Sequence, residues 1–341
     1  MPDALFLHAP RDARIGPLAL PEGKPGETLL TVAAVGICGS DLHYYKAGST
    51  GGSLVIAEPF VPGHEFGGWL EEDIPELGLA RGTLVAVDPN HACGHCPWCR
   101  QGHRNLCPQV RYIGAPPING AMTKQIWVPR SQIVKLPDSF GPLEAALLEP
   151  LGVALHAVDL ARPRLGERVI LLGCGSIGLL ILQLLKLAGA SEVMAIDPQP
   201  HRREMAASLG ARSTGAAAAE AAGWTGGEGA ALVIEATNSP LAFGEAVQAA
   251  RIGGRLVLVG IPDGDLYTLP GAPARRRGLT VRFVRRMGDR FARAIALVAE
   301  GRVDVASLVS GSFALADGPG VFRRHAENAP GMIKSLILPQ K

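Results

Sequence analysis

Cys93, Cys96, Cys99 and Cys107 fall at C-x2-C-x2-C-x7-C spacing within one short stretch. Thiolates returned at such short intervals let one loop wrap a tetrahedral ion, and four sulfurs are a donor set of structural Zn²⁺. Gly94, Pro97 and Gly102 between them suit a sharp exposed loop. Two disulfides, or thiols that merely pack, are the other readings. Neighbouring C-x2-C pairs close poorly into disulfides, and Met1 to Arg14 holds no apolar signal core pointing to an oxidising compartment. A four-thiolate zinc site is therefore expected. Such a site keeps a lobe in shape and performs no chemistry.

A second set of donors is more dispersed. Cys38 lies in Gly36-Ile37-Cys38-Gly39-Ser40-Asp41-Leu42-His43, upstream of Gly63-His64-Glu65. Thiolate, imidazole and carboxylate are the ligand types of a catalytic zinc that keeps one position open for water or substrate. Glu149 is a further candidate, because a carboxylate in the apolar run Leu147 to Leu151 needs a partner to offset its burial. A lone cysteine is otherwise inert packing, and whether these three segments converge is a matter for the fold.

Gly173-Cys174-Gly175-Ser176-Ile177-Gly178 matches G-x-G-x-x-G, with an apolar run on either side and Asp197 about twenty residues on. The first glycine permits a tight turn, and the second lets backbone approach a pyrophosphate. The third lets helix and strand pack, while the helix N-terminus supplies partial positive charge. Asp197 is expected to bond the adenosine ribose hydroxyls and repel a 2′-phosphate, which favours NAD over NADP; Arg202 argues the other way. The alternative is a glycine turn that only links strand to helix. Cys174 reads as a small buried thiol.

These residues need two kinds of scaffold. From Met1 to about Pro150 short β-like segments, such as Thr28 to Val35 and Leu84 to Val87, alternate with Gly and Pro, which suits an irregular antiparallel domain. From Leu151 onward the pattern alternates: strands Arg168 to Leu172, Glu192 to Ile196, Ala231 to Glu235 and Arg255 to Val259. Helices Ile177 to Ala188, His201 to Leu209 and Leu241 to Ala250 lie between them. That rhythm implies a parallel sheet with right-handed crossovers. The tail from about Phe283 returns to mixed short elements and is expected to rejoin the first half. A chain of 341 residues suits two domains, and its 47% hydrophobic content fills two cores. Net charge of +2 offers no field for nucleic acid or an anionic membrane. The uncharged run between Arg168 and Lys186 is a residue or two short of a membrane span and is broken by glycines, so a strand entering a helix explains it. A soluble, cytoplasmic protein is expected.

Taken together, these motifs resemble the zinc-dependent medium-chain dehydrogenases, and among them the sorbitol and xylitol (polyol) dehydrogenase branch. The resemblance rests on GICGSDLHYY (Gly36 to Tyr45), PGHEFGG (Pro62 to Gly68), CGHCPWCRQGHRNLC (Cys93 to Cys107), NGAMTKQIWVP (Asn119 to Pro129), EPLGVALHA (Glu149 to Ala157) and the GCGSIG turn. It implies an α/β fold: a GroES-like, mostly-β catalytic domain from residues 1–150 and 285–341, and an inserted Rossmann coenzyme domain, a doubly wound parallel sheet, from 151–284. It implies Cys38, His64 and Glu65 as catalytic zinc ligands, with Glu149 holding the zinc directly or through water, and Cys93, Cys96, Cys99 and Cys107 around a structural zinc. Ser40 and His43 would relay the substrate proton outward. Tyr44 and Arg285 would line the polyol pocket. Gly173, Gly175, Ser176, Ile177, Gly178, Asp197 and Arg202 would bind the coenzyme. A homotetramer or homodimer is implied, with Leu256 to Gly260 and Leu266 to Ala272 as candidate contact segments.

Departures from the family pattern bear on substrate. Trp69 to Asp73 forms an acidic turn after PGHEFGG, Gly48 to Ser53 is a flexible-looking loop near the implied substrate mouth, and Arg286 replaces an aromatic residue. A second guanidinium there would suit a carboxylate or phosphate on the substrate; a surface or subunit-contact arginine is the plainer reading. NAD-dependent oxidation of a polyol is the leading expectation. A sugar-acid dehydrogenase of the L-idonate type is the nearest alternative, and threonine dehydrogenases are a further one. A non-catalytic binding relative would have lost Cys38, Ser40, His43, His64, Glu65 or Glu149, and all six are present.

Overall fold

The computed structural model describes residues 1–341 except Ser53 and Asp265. Ser53 ends the Gly48 to Ser53 loop, so that part of the loop lies outside the described residues. The chain divides into two compact units: Met1–Glu149 with Phe291–Lys341, and Pro150–Arg290. Arg285 and Arg286 thus fall in the second unit.

The first unit is built on a seven-stranded sheet. Its path runs Ile133–Lys135, Leu84–Val87, Glu65–Leu70, Glu27–Gly36, Lys334–Leu338 and Val309–Ala314, and Gln125–Pro129 also pairs with Glu27–Gly36. All pairings are antiparallel except that of the last two strands, Val309–Ala314 with Lys334–Leu338. Alternating apolar residues put Leu30, Val32, Val35, Phe66 and Leu70 into one core, which Phe322 and Ile337 of the tail complete. Burying Phe66 or Phe322 contributes about 1.5–3 kcal/mol each. Register matters most near the middle of the sheet. Gly36 lies opposite Glu65 on one side and Leu336 on the other. The strand end leading to Cys38 is thereby held between Glu65 and the Lys334 strand.

The acidic turn now has an account. Glu71 accepts a hydrogen bond from the Thr31 hydroxyl and pairs with Arg81 at 3.6 Å, while Asp73 accepts the Arg81 backbone N–H at 2.7 Å. Arg130 reaches Glu72 and Glu76 at 3.1 and 2.8 Å. These exposed pairs contribute little stability each, but they tie the turn down.

The second unit is a six-stranded parallel sheet in the order Ser213–Gly215, Glu192–Ile196, Arg168–Leu172, Ala230–Glu235, Ala250–Leu258, Thr280–Phe283. In chain order this is 3-2-1-4-5-6, the doubly wound arrangement whose ligand crevice lies at the strand C-termini, where the order reverses. Helices Ser176–Leu187, Pro200–Ser208 and Ala242–Ala249 connect the strands. Ile170, Ile196, Val233, Leu256 and Leu258 form its core. The strand read from the sequence as starting at Arg255 begins at Ala250, with a register irregularity against its neighbour. The edge strands Ser213–Gly215 and Thr280–Phe283 escape sequence reading because they are short and only partly buried.

The helix Pro142–Ala161 contains the division between the units, at Glu149 and Pro150. Pro150 has no N–H to give the carbonyl four residues back, so the helical ladder is interrupted beside Glu149. Among the described residues no helix is long and apolar enough to cross a membrane.

Candidate zinc and coenzyme sites

The four loop cysteines converge: their Sγ atoms all lie within 4.8 Å of one another, with Cys93 and Cys99 3.9 Å apart. None is in a disulfide, which would require about 2.05 Å. A short helix, Pro97–Arg100, turns the chain between donors, and the backbone N–H groups of Cys96 and Cys99 donate to Cys93 Sγ and Cys96 Sγ, each at 3.4 Å. Burial pushes the Cys93 thiol up, but the N–H groups of His95 and Cys96 outweigh it and bring it to about 6. Four sulfurs gathered around one point, one of them eased toward thiolate, fit a tetrahedral Zn²⁺.

Cys38, His64 and Glu65 also converge, again with donor atoms all within 4.8 Å. Cys38 precedes the helix Gly39–Ala47, whose third residue, Asp41, accepts the Cys38 N–H at 2.9 Å. The other Asp41 oxygen accepts the Gly63 N–H at 3.3 Å. One fully buried carboxylate therefore joins the two donor-bearing segments. Among the described residues the buried His64 Nδ1 has no hydrogen-bond partner; Asp41 Oδ1 lies 3.7 Å from it. Burial alone would lower His64, but the Cys38 sulfur and Asp41 raise it to about 10. A cluster that recruits a proton so strongly carries an excess of negative charge in a dry place. A divalent cation bound by thiolate, imidazole and carboxylate fits that donor set.

Glu149 is 4% exposed and is not one of the three converging donors. Its Oε1 accepts from the Tyr112 hydroxyl at 3.0 Å, and the Tyr112 ring lies 5.4 Å from that of His64. Burial pushes the Glu149 carboxyl up to about 7, with His64 opposing and Glu65 reinforcing the rise. Ser40 is half-buried and His43 buried on the helix Gly39–Ala47. Tyr44 is 2% exposed, its ring edge-on to Phe60 at 5.2 Å. In the second unit Arg285 is exposed and Arg286 half-buried at φ 54°.

At the glycine turn Gly173 has φ 96°, and a Cβ there would meet the Ala236 carbonyl at 2.5 Å. A Cβ on Gly178 would collide with the Gly173 carbonyl. Gly175 caps the helix Ser176–Leu187, and nothing crowds the open space above it. Asp197 is buried at the end of its strand. Its Oδ2 accepts the Cys174 N–H at 2.9 Å and its Oδ1 the Gln199 N–H at 2.8 Å, while Arg202 Nη1 is 3.9 Å from Oδ2.

Residues 24–138 match the family model of the alcohol dehydrogenase GroES-like domain, and residues 176–300 that of the zinc-binding dehydrogenase. The sorbitol dehydrogenase of Bacillus subtilis (strain 168) is 31% identical over 348 residues, spanning 99% of this chain and 97% of that protein. This chain is a zinc-dependent medium-chain dehydrogenase. A probable D-xylulose reductase A of Neosartorya fischeri is 34% identical, over 93% of this chain and 91% of that one. The crystal structure of L-idonate 5-dehydrogenase from Escherichia coli superposes with a TM-score of 0.90 at 27% identity, over 99% and 98% of the two chains. As a medium-chain dehydrogenase the protein is an oxidoreductase with a GroES-like domain and a Rossmann-like parallel sheet, and the family implies zinc and a nicotinamide coenzyme.

Three residues that touch this donor cluster or its neighbour Glu149 escaped sequence reading. In the sequence Asp41 stood only as one residue of the Gly36 to His43 motif, with no role of its own. Tyr112 is an isolated aromatic in the two-residue strand Arg111–Tyr112, too short for a periodic signal. Lys334 is a lone cation in the apolar strand Lys334–Leu338, an anomaly of the kind that marks a buried partner.

Proposed function

We propose that this enzyme oxidises a secondary hydroxyl of a polyol, of the sorbitol or xylitol type, to the ketone with NAD⁺ as hydride acceptor. The observation that carries this reading is the convergence of Cys38, His64 and Glu65. Zinc held there would polarise the substrate oxygen and lower the pKa of its hydroxyl. Cys38, His64 and Glu65 would hold the metal, with Glu149 beside them, steadied by Tyr112. Ser40 would take the hydroxyl proton and His43 pass it toward solvent. The carbinol hydrogen would leave with its electron pair for a bound nicotinamide, so that alcohol and NAD⁺ would become ketone, NADH and one proton. Cys93, Cys96, Cys99 and Cys107 would hold a second, structural zinc. Tyr44 and Arg285 would contact the polyol.

For the coenzyme, Gly173, Gly175, Ser176, Ile177 and Gly178 would cradle the pyrophosphate. Asp197 spends one lone pair of each oxygen on backbone N–H groups, and each oxygen keeps another for a ribose hydroxyl. The same buried charge would repel a 2′-phosphate, so NAD is the favoured coenzyme. Arg202 is drawn toward Asp197, which supports a ribose-side role over phosphate capture. A cytoplasmic homotetramer or homodimer is part of this reading.

A second reading is a sugar-acid dehydrogenase of the L-idonate type. It is favoured by the likeness to L-idonate 5-dehydrogenase and by the half-buried Arg286, a partner for a substrate carboxylate. Initial rates of NADH formation by zinc-loaded enzyme separate the two, with xylitol or sorbitol against L-idonate at equal concentration. A polyol preference supports the first reading, and a preference for the acid supports the second. Cys38→Ser should abolish turnover and remove the metal from that site. Retention of both would overturn the ligand assignment.

A further inference from the structure

Two carboxylates flank the glycine turn of the second unit, one at the end of each strand beside Arg168–Leu172. Asp197 is one. The other is Glu235, the last residue of Ala230–Glu235, which pairs with Leu172 on one side and Leu258 on the other. Glu235 is 1% exposed. Its Oε1 accepts the Thr237 N–H at 2.6 Å, and its Oε2 accepts the Gly260 N–H at 3.2 Å. It thus reaches across the ends of two strands and holds the loops that follow both.

Those loops are locked together elsewhere as well. A Cβ on Gly260 would run into the Thr237 carbonyl, so the two backbones are already in contact. The Asp263 N–H donates to the Asn238 carbonyl at 2.9 Å, and the Tyr267 hydroxyl donates to the Gly260 carbonyl. On the opposite side the Ala236 carbonyl and the Thr237 methyl pack against Gly173, at 2.5 and 2.8 Å from where its Cβ would be. A continuous set of contacts therefore runs from the glycine turn through Ala236 and Thr237 to Glu235 and Gly260.

Position gives this set a purpose. In a doubly wound sheet the dinucleotide crosses the strand C-termini at the point where the order reverses, here between Arg168–Leu172 and Ala230–Glu235. The adenosine half falls toward Asp197. The nicotinamide half must then cross toward the loops that Glu235 joins. A buried anion is costly to keep, and a packed apolar residue would avoid that cost. Two converging donors do, however, need an acceptor with no donor of its own, which glutamine cannot supply.

We infer that Glu235 is a positioning residue that fixes the loops 236–239 and 259–263 as a preformed platform for the nicotinamide half of the coenzyme. It touches neither coenzyme nor substrate and acts through the Thr237 and Gly260 backbones. This rests on the coenzyme reading given above.

The test compares two ligands that share one half of the site. AMP needs only the glycine turn and Asp197, whereas NADH needs the whole crevice. Both are titrated into zinc-loaded wild type and Glu235→Gln, NADH by fluorescence and AMP by calorimetry. Glu235→Gln should weaken NADH at least tenfold and AMP less than twofold. Glu235→Asp, which reaches one of the two N–H groups, should lose an intermediate amount, and it carries the test should the glutamine variant fail to fold. Equal weakening of both ligands would make Glu235 a general structural residue and overturn the proposal. So would unchanged binding of both. A wild type that binds neither ligand would overturn the coenzyme reading itself, a result distinct from either of these.

Discussion

Lys334 Nζ lies 2.5 Å from Glu65 Oε2, and both residues are 1% exposed. The same ammonium donates to the Ile37 carbonyl at 3.0 Å, one residue before Cys38. A strand close to the end of the chain thus reaches into the centre formed by Cys38, His64 and Glu65. Burial alone would lower the lysine's pKa, but Glu65 and Cys38 raise it, so it stays charged. Removing one partner of such a buried pair leaves the other uncompensated and costs about 3–5 kcal/mol. Lys334→Met should lower the unfolding free energy measured by urea titration by that much, and adding Glu65→Gln should recover a substantial part. A loss below about 1 kcal/mol in the single variant would show that the pair is dispensable.

The cysteine loop should be separable from the chemistry. Cys107→Ser removes one of four converging thiols, and zinc measured by atomic absorption should fall from about two per chain to about one. Stability should fall with it, while Cys38→Ser should lose the other zinc and leave the fold intact. Loss of both metals in either variant would mean that the two sites are not independent.

The proposed preference for NAD makes Asp197 its test. Asp197→Ala removes the proposed ribose acceptor and the caps on the Cys174 and Gln199 N–H groups. KM for NAD⁺ should rise about tenfold, equivalent to about 1.4 kcal/mol, and discrimination against NADP⁺ should shrink. An unchanged NAD⁺ to NADP⁺ ratio of kcat/KM would remove Asp197 from the recognition of the ribose.

Alkaline pH offers an independent probe of the second unit. Burial, reinforced by the negative charge of Glu235, pushes the Tyr267 hydroxyl up to about 12 from an ordinary value near 10. A folded state that holds its proton more tightly gains stability that is fully present below pH 10. That stability is lost as the pH rises from about 10 through 12. Absorbance titration of wild type minus Tyr267→Phe should show one phenol, of the four tyrosines, ionising near 12. Ionisation near 10 would place Tyr267 in water and contradict its hydrogen bond to Gly260.

Spacing along the chain was enough for what is local. Four thiols closely spaced along the chain needed only a short loop to meet, and a glycine turn between a strand and a helix declared its own geometry. The parallel alternation of the second half was legible because strand and helix periods differ, although the short edge strands were not. What depends on register across the sheet came from the packed fold. It placed Gly36 between Glu65 and the Lys334 strand, so that Lys334 meets a carboxylate 269 residues earlier. It brought Asp41 between Cys38 and Gly63, and Tyr112 onto Glu149. It joined Thr237 and Gly260 through Glu235. No spacing rule encodes these pairings. Each exists because a buried polar group must find a partner, and the partner is chosen by whichever distant strand the packed core brings alongside.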